Sequence, residues 1–597
     1  MISHLEAKTV GEVSPKQISG SGPPHFLRWL WALWLATSVG RFLASLILHG
    51  PVIFADEISY WEMARSFHRF GNFEMYFMRG HLPTVLYSVA ISPAFVWNPP
   101  KTEYLVVKLT SSLLMASAVF PAYGLAREFL DHKWALIVAL MTALAPGGMY
   151  SGLVMAENLF FPMFVLTVWF CFRTLDTGRW LDAVAAGLLL AIGFHVKIQA
   201  MFLAVAYPLP LLVWAGGCLL GKQRPTWGSW LRGAIVRALP VLIFAAMIGL
   251  RVAAGHARQQ GFTASIFGDL YTGLAGVSGH IVPRRFLATL LAMGEGLAIS
   301  TLFLPAAALL VSVGILHKQS FRLILFWSLT VSCTAVYFVM VARHNALYDD
   351  MLRVHERYFF VVTPMLWVWF LAIRERLRPA ILWLATAGLI ALCAWSIEQS
   401  LPNNLMSWDS PTDSPTLTLF FYLRLPPNFM PFTAVSGLMA LSLLASLALY
   451  GASRRQAFTA AVPWALALLL LDSGWYVFEH NIVAPTQVRP TQAILKLGRS
   501  FSSHDRIALL YDTNFPLNDF MFCYFWWENP ITQYSPEPSS VWTGQQLPTR
   551  NGKPDFSQLS EEYVAVIGEP QLDLPVVDAT RIPKITLYRI SHQPALQ

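Results

Sequence analysis

The sequence predicts an all-α polytopic membrane bundle of about thirteen transmembrane helices, followed by a small C-terminal extracytoplasmic α/β domain. Three observations carry this. Hydrophobic residues fill 55% of the 597 positions and charged residues only 13%, where a soluble domain is about a quarter charged; mean hydropathy is +0.50. The apolar residues gather in runs close to the roughly 20 residues that a bilayer-crossing helix needs. After residue 478 the pattern changes to one helix-spaced segment and three short β-rich runs.

Residues 1–26 are polar and rich in Gly, Ser and Pro, and read as a disordered cytoplasmic tail. The apolar run that follows is longer than a signal-peptide core and shows no small-residue cleavage site, so it reads as an uncleaved first helix. Spans are expected near 28–50, 103–126, 134–152, 157–173, 180–196, 198–217, 237–253, 297–316, 321–341, 357–373, 380–397, 430–451 and 460–478. Together, residues 27–478 form the transmembrane domain.

Segment 81–98 is apolar but short and carries Pro83 and Pro93. If it does not cross, Arg127 and Lys133, Arg173 and Arg179, Lys222 to Arg237, Lys318 and Arg322, Arg374 to Arg378, and Arg454 with Arg455 all fall in inner links. Crossing would move them all outside, against the positive-inside rule. The segment is therefore read as lying in the outer interface. The N-terminus is then cytoplasmic, residues 479–597 are outside, and the long outer loops are 51–102, 254–296, 342–356 and 398–429.

In 479–597, VRPTQAILKLGRSF has helical spacing, while RIALLYD, EYVAVIGEP and KITLYRI read as strands. The net charge of +8 sits mostly in inter-helix links and forms no basic face, which argues against nucleic acid as a partner. The five cysteines have no metal-ligand or paired spacing.

Ionisable residues at membrane depth cost about 2.5–3.5 kcal/mol each, so those near the outer face need a reason. Asp56 and Glu57 follow the first helix in FADEISYWEMARSF. Adjacent carboxylates repel, which calls for a neighbouring cation or a metal, and a carboxylate there suits a general base toward a sugar hydroxyl. Glu157 opens an apolar helix, where the dipole also favours an acid. Lys197 lies between two apolar runs, suited either to snorkelling or to phosphate binding. ARHNALYDDMLRVHERYFF holds Arg343, His344, Arg357 and Tyr358 on the side where cations are disfavoured, and arginine binds phosphate through a planar fork. Acids and cations on one outer face suit an acceptor hydroxyl meeting a lipid-phosphate leaving group. A secondary transporter or flippase-like protein for a lipid-linked or anionic substrate is the alternative, although no internal repeat is visible.

In order and hydropathy, residues 28–380 resemble the GT-C glycosyltransferases that use polyprenyl-phosphate sugars, including protein O-mannosyltransferases and lipid A aminoarabinose transferases. The resemblance rests on Asp56, Glu57, Tyr60 and Ala64 after the first helix, a Pro-containing amphipathic segment, Glu157, Lys197, and Arg357-Tyr358. It implies inverting transfer from a polyprenyl-phosphate carrier to an extracytoplasmic acceptor, with Asp56 as the base, Glu57 organising the loop or substrate, and Glu157 as the later acid. Family members often hold Asp at that later position. Arg79, His81 and Pro83 stand where the aminoarabinose branch has a lysine and paired prolines; Arg79 and His81 join Lys197, Arg343, His344, Arg357 and Tyr358 as candidate substrate-binding residues. Some members use a divalent metal and others none, so metal dependence stays open.

Overall fold

The computed structural model describes residues 24–52, 54–75, 82–97, 99–220, 226–268, 281–348, 355–404, 413–418, 457–502, 504–511, 517–535, 545–550, 553–568, 572, 574–581 and 584–590. Among these, eight helices are long and apolar enough to cross a membrane, or ten if each of two bent pairs is one span. The chain is a multi-pass membrane protein. Of the thirteen expected spans, 430–451 lies outside the described residues. α1 (Pro24–Ser45) and the 17-residue α8 (Trp180–Val196) are helical but are not among the ten.

α2 (Phe54–Phe70) begins nine residues after α1 ends, so Asp56 and Glu57 lie in the first turn of a helix and not in a loop. That end of a helix favours carboxylates. The expected interfacial segment forms α3 (Leu86–Ile91) and a 3-10 turn to Val96. Eleven helical residues reach about 16 Å at 1.5 Å per residue, half of a roughly 30 Å hydrocarbon core. Next come α4 (Pro100–Ala116) and α5 (Val119–Arg127), together one candidate span. α6 (His132–Ala143) is followed by a 3-10 turn (Pro146–Gly152) at a 53° bend. Pro146 removes a backbone donor at the break. Arg41, from within α1, donates to the freed carbonyls of Ala143 (2.6 Å) and Ala145 (3.2 Å). A Cβ on Gly148 would lie 1.9 Å from that guanidinium, so the close approach requires glycine.

α7 (Glu157–Thr177) spans the bundle and ends at Gly178, which takes φ +64, the left-handed position glycine favours. α8 packs back along it. The expected span 297–316 differs from a straight crossing: helices Pro283–Ser300 and Leu304–Val311 meet at 119°, the second continuing as a 3-10 turn to Lys318. Leu302 and Phe303 at the corner have φ of 54 and 64, a conformation costing of order 1–3 kcal/mol for such residues.

The last described span, Ala457–Phe478, runs through a π-helical turn (Glu479–Val483) into the amphipathic helix Ala484–Leu497. Beyond it stands a six-stranded sheet in the order β3-β2-β1-β6-β8-β7. Its members are β1 (Ile507–Tyr511), β2 (Ile531–Ser535), β3 (Gln545–Gln546), β6 (Tyr563–Ile567), β7 (Val576–Arg581) and β8 (Lys584–Arg589); β4 (Thr549–Arg550) and β5 (Lys553–Pro554) pair separately. β1 lies parallel to β2 and β6, and β8 antiparallel to β6. The sequence-expected strands are β1, β6 and β8. Central parallel strands are covered on both faces, and Ile507, Ala508, Leu509, Val564 and Ala565 are fully buried.

This domain is fastened to the start of the bundle. Arg65 of α2 donates to the carbonyls of Trp527 (2.6 Å) and Phe525 (2.9 Å), and Trp61 stacks on Phe525 at 4.5 Å.

Candidate active site

The α1–α2 connection that presents Asp56 is clamped by three side chains from two helices. Lys108 of α4, buried, donates to the carbonyls of Ser45 (2.8 Å) and Leu48 (2.7 Å), neutralising the C-terminal end of α1. The Tyr104 hydroxyl donates to the Gly50 carbonyl at 3.0 Å. Gln487, from the helix before the sheet, accepts from the His49 amide (3.1 Å) and donates to the Gly50 (3.2 Å) and Pro51 (2.9 Å) carbonyls.

The two adjacent carboxylates part company. Glu57 is fully buried and accepts the backbone N–H groups of Val52, its own turn, and of Val154 (2.8 Å), the segment leading into α7. It joins two parts of the backbone. Asp56 keeps its side chain 45% exposed and its Oδ2 meets Nη1 of Arg357 at 2.7 Å.

Arg357 is the hub. It lies in a short helical turn (Glu356–Phe359) after His355. Its Nε is 3.2 Å from Asp413 Oδ1, and its Nη2 donates to the Tyr358 hydroxyl at 3.0 Å. The His355 ring faces the other Asp413 oxygen at 3.3 Å, and the His344 ring sits edge-on to His355 with centroids 6.3 Å apart. Neighbouring Glu356 is buried and accepts from Ser414 (3.1 Å), the Thr416 amide (3.0 Å) and the Thr416 hydroxyl. Those bonds fix the turn that delivers Asp413. On the other side, the Lys197 ammonium lies 5.1 Å from the Tyr358 ring centroid and is paired with Glu157. Both members of that pair are buried, which is sustained only by close mutual partnering.

Asp56, Glu157, Lys197, Arg357 and Tyr358 therefore form one connected cluster, with His344 attached through His355. Arg343 is exposed, near the end of the helix Phe321–Tyr348, with no side-chain partner in the cluster. Arg79 and His81 lie outside the described residues. Sequence reasoning missed Asp413 and Gln487, and passed over Glu356 and Lys108. Asp413 sits in a Ser/Thr/Pro-rich stretch of sequence where nothing local distinguishes it from a turn-former, while the lone Lys108 at mid-helix was a cation at membrane depth and so a visible signal.

A divalent metal finds no ready cradle: among the described residues, no three His, Cys, Asp or Glu side chains are grouped to hold one. The half-exposed Asp56 and the buried Asp413 are instead bridged by the Arg357 guanidinium.

The family model described as dolichyl-phosphate-mannose-protein mannosyltransferase matches residues 101–244, which run from α4 into the helix Trp227–Ala257 and include Glu157 and Lys197. No curated protein matches the chain. Two solved structures are similar over nearly the whole length. The apo state of ArnT from Cupriavidus metallidurans aligns with a TM-score of 0.55 at 13% identity, covering 94% of this chain and 98% of that one. The same protein bound to undecaprenyl phosphate aligns at 0.54 and 14% identity, covering 95% and 98%. The chain carries an ArnT-like fold, and this structural similarity runs through both the bundle and the C-terminal sheet domain.

Proposed function

We propose that this protein is a membrane glycosyltransferase that moves a sugar from a polyprenyl-phosphate carrier to an extracytoplasmic acceptor, with inversion at the anomeric carbon. The observation that carries the reading is the meeting of Asp56 with Arg357, beside the Lys197–Glu157 pair. Such a displacement needs a base for the acceptor hydroxyl and positive charge at the departing phosphate. The acceptor oxygen bonds to the anomeric carbon, the bond from that carbon to the phosphate oxygen breaks, and the acceptor proton passes to Asp56. Arg357 and Lys197 hold the phosphate leaving group. The binding of undecaprenyl phosphate by the similarly folded ArnT supports a polyprenyl phosphate as the carrier.

In this arrangement Asp56 is held by the guanidinium the donor phosphate needs. A phosphate that takes over Nη1 of Arg357 frees the Asp56 carboxylate to accept from the acceptor hydroxyl. The base is thereby readied by arrival of the donor. Glu157 pairs with the buried Lys197 and holds it beside the Tyr358 ring, and Arg79 and His81 are proposed as further substrate contacts from the amphipathic segment.

The test is mass analysis of lipid-linked sugars and envelope glycans with and without the gene. Loss of one glycan with accumulation of its carrier-linked donor is expected. Unchanged glycans, with a lipid-linked precursor stranded on the cytoplasmic side, would instead favour transport.

A further inference from the structure

A groove of about 880 Å³ runs along the face of α7 away from the Asp56 cluster, walled by α5 and the start of α1. On α7 its lining recurs at helical spacing through Leu159, Met163, Leu166, Trp169, Arg173 and Thr177, so one stripe of the helix forms the wall. From Leu166 to Thr177 the helix advances about 16 Å, close to one leaflet of a roughly 30 Å hydrocarbon core. The inner part is apolar. The end of the groove remote from Glu157 carries Arg127, Arg173 and Arg179. Those cations sit at the end of α7 opposite Glu157, twenty residues away, or about 30 Å.

The charges at this end do not cancel locally. Glu128, which also lines the groove, and Asp176 are both engaged by Arg322, and Asp182 pairs with Arg173 at 3.2 Å. Arg127 donates to the Leu130 carbonyl at 2.6 Å, and among the described residues neither it nor Arg179 forms an ion pair. The wall is also built and held. The Trp169 indole N–H donates to Glu128 at 3.0 Å, and a Cβ on Gly124 would lie 2.5 Å from the Trp169 ring, so Gly124 lets the indole lie against α5. Water filling an apolar groove at membrane depth would leave its hydrogen bonds unmet, whereas an acyl chain fills it without loss.

We propose that this groove binds an anionic phospholipid, with its phosphate between Arg127, Arg173 and Arg179 and one acyl chain along Met163, Leu166 and Trp169. The excess positive charge at the open end selects an anionic over a zwitterionic headgroup. The site lies on the opposite side of α7 and at its opposite end from the transfer cluster, and does not depend on that assignment.

The test uses the full-length protein in neutral detergent, titrated with phosphatidylglycerol and with phosphatidylcholine of the same acyl chains, read by native mass spectrometry and by Tm. Phosphatidylglycerol should stay bound and raise Tm, while phosphatidylcholine and free glycerol phosphate should do neither. Arg127→Gln/Arg179→Gln should weaken phosphatidylglycerol roughly 30-fold, since each surface arginine contributes about a factor of five. Arg179→Gln alone, at an exposed position that cannot disturb folding, should give about fivefold. Leu166→Trp should block the groove and abolish the Tm rise. Equal binding of the two lipids, or full affinity in Arg179→Gln, would overturn the proposal. So would binding of undecaprenyl phosphate without phosphatidylglycerol. A requirement to delete residues 1–23 before lipid binds would assign the groove to the chain's own N-terminal segment and sink it as well.

Discussion

Asp56 and Arg357, 301 positions apart in the chain, meet at 2.7 Å between Oδ2 and Nη1, and the carboxylate remains half open to the surface while the arginine is mostly enclosed. The asymmetry gives the two residues different vulnerabilities. Asp56 can be altered with little effect on packing, whereas Arg357 also compensates Asp413, whose side chain is only 5% exposed.

Asp56→Asn keeps size and most hydrogen bonding but removes basicity. Turnover is expected to fall by about 10²–10⁴-fold, the usual worth of a general base, with Tm near that of the parent. Near-parental turnover in the folded variant would rule Asp56 out as the base. Glu57→Gln behaves differently: one of its two backbone acceptor bonds becomes a clash of donors, so a stability loss of about 1–3 kcal/mol accompanies any change in rate.

Arg357→Ala leaves Asp413 without its guanidinium, so a drop of about 3–5 kcal/mol in stability should accompany lost transfer. Arg357→Lys preserves the charge but not the fork that reaches Asp56, Asp413 and Tyr358 together. Steady-state assays should show a raised donor KM in Arg357→Lys, smaller than the loss in Arg357→Ala. Identical donor kinetics in all three proteins would remove Arg357 from the phosphate site.

The buried Lys197–Glu157 pair separates folding from function. Lys197→Met alone strands a buried carboxylate and should destabilise by about 3–5 kcal/mol. Adding Glu157→Gln should recover most of that stability while transfer stays lost. A double variant that regained transfer would show the pair to be structural only.

Topology is tested by single cysteine tags in a background lacking the native five. A tag after residue 130 should be shielded from an impermeant outside reagent, and tags near 350 and 540 should react. Labelling at 130 from outside would reverse the orientation and place the transfer cluster on the cytoplasmic face.

Hydropathy determined by itself that this chain is a membrane bundle, because burying some twenty-residue apolar runs has no soluble solution at this composition. The cost of charge at membrane depth also marked Asp56, Glu157, Lys197 and Arg357 in advance, since each needed a partner and each has one. Three of the strands in the C-terminal sheet were legible as short apolar runs: β1 and β6 are central parallel strands buried on both faces, and β8 pairs antiparallel beside β6 with its middle residues buried. Other features depend on contacts far apart in the chain. The roles of the adjacent Asp56 and Glu57 separate only because the amide of Val154 reaches Glu57 and the guanidinium of Arg357 reaches Asp56. Asp413 enters the cluster because Glu356 folds the 413–418 turn against it, and Gln487 steadies the connection before Asp56 by bonding His49, 438 positions away. The 119° corner at Leu302-Phe303 breaks what hydropathy reads as one span. Hydropathy and charge are sums over neighbouring residues, so they locate a helix or a costly side chain; which partner satisfies it is settled only when the tertiary fold brings distant donors and acceptors within hydrogen-bond reach.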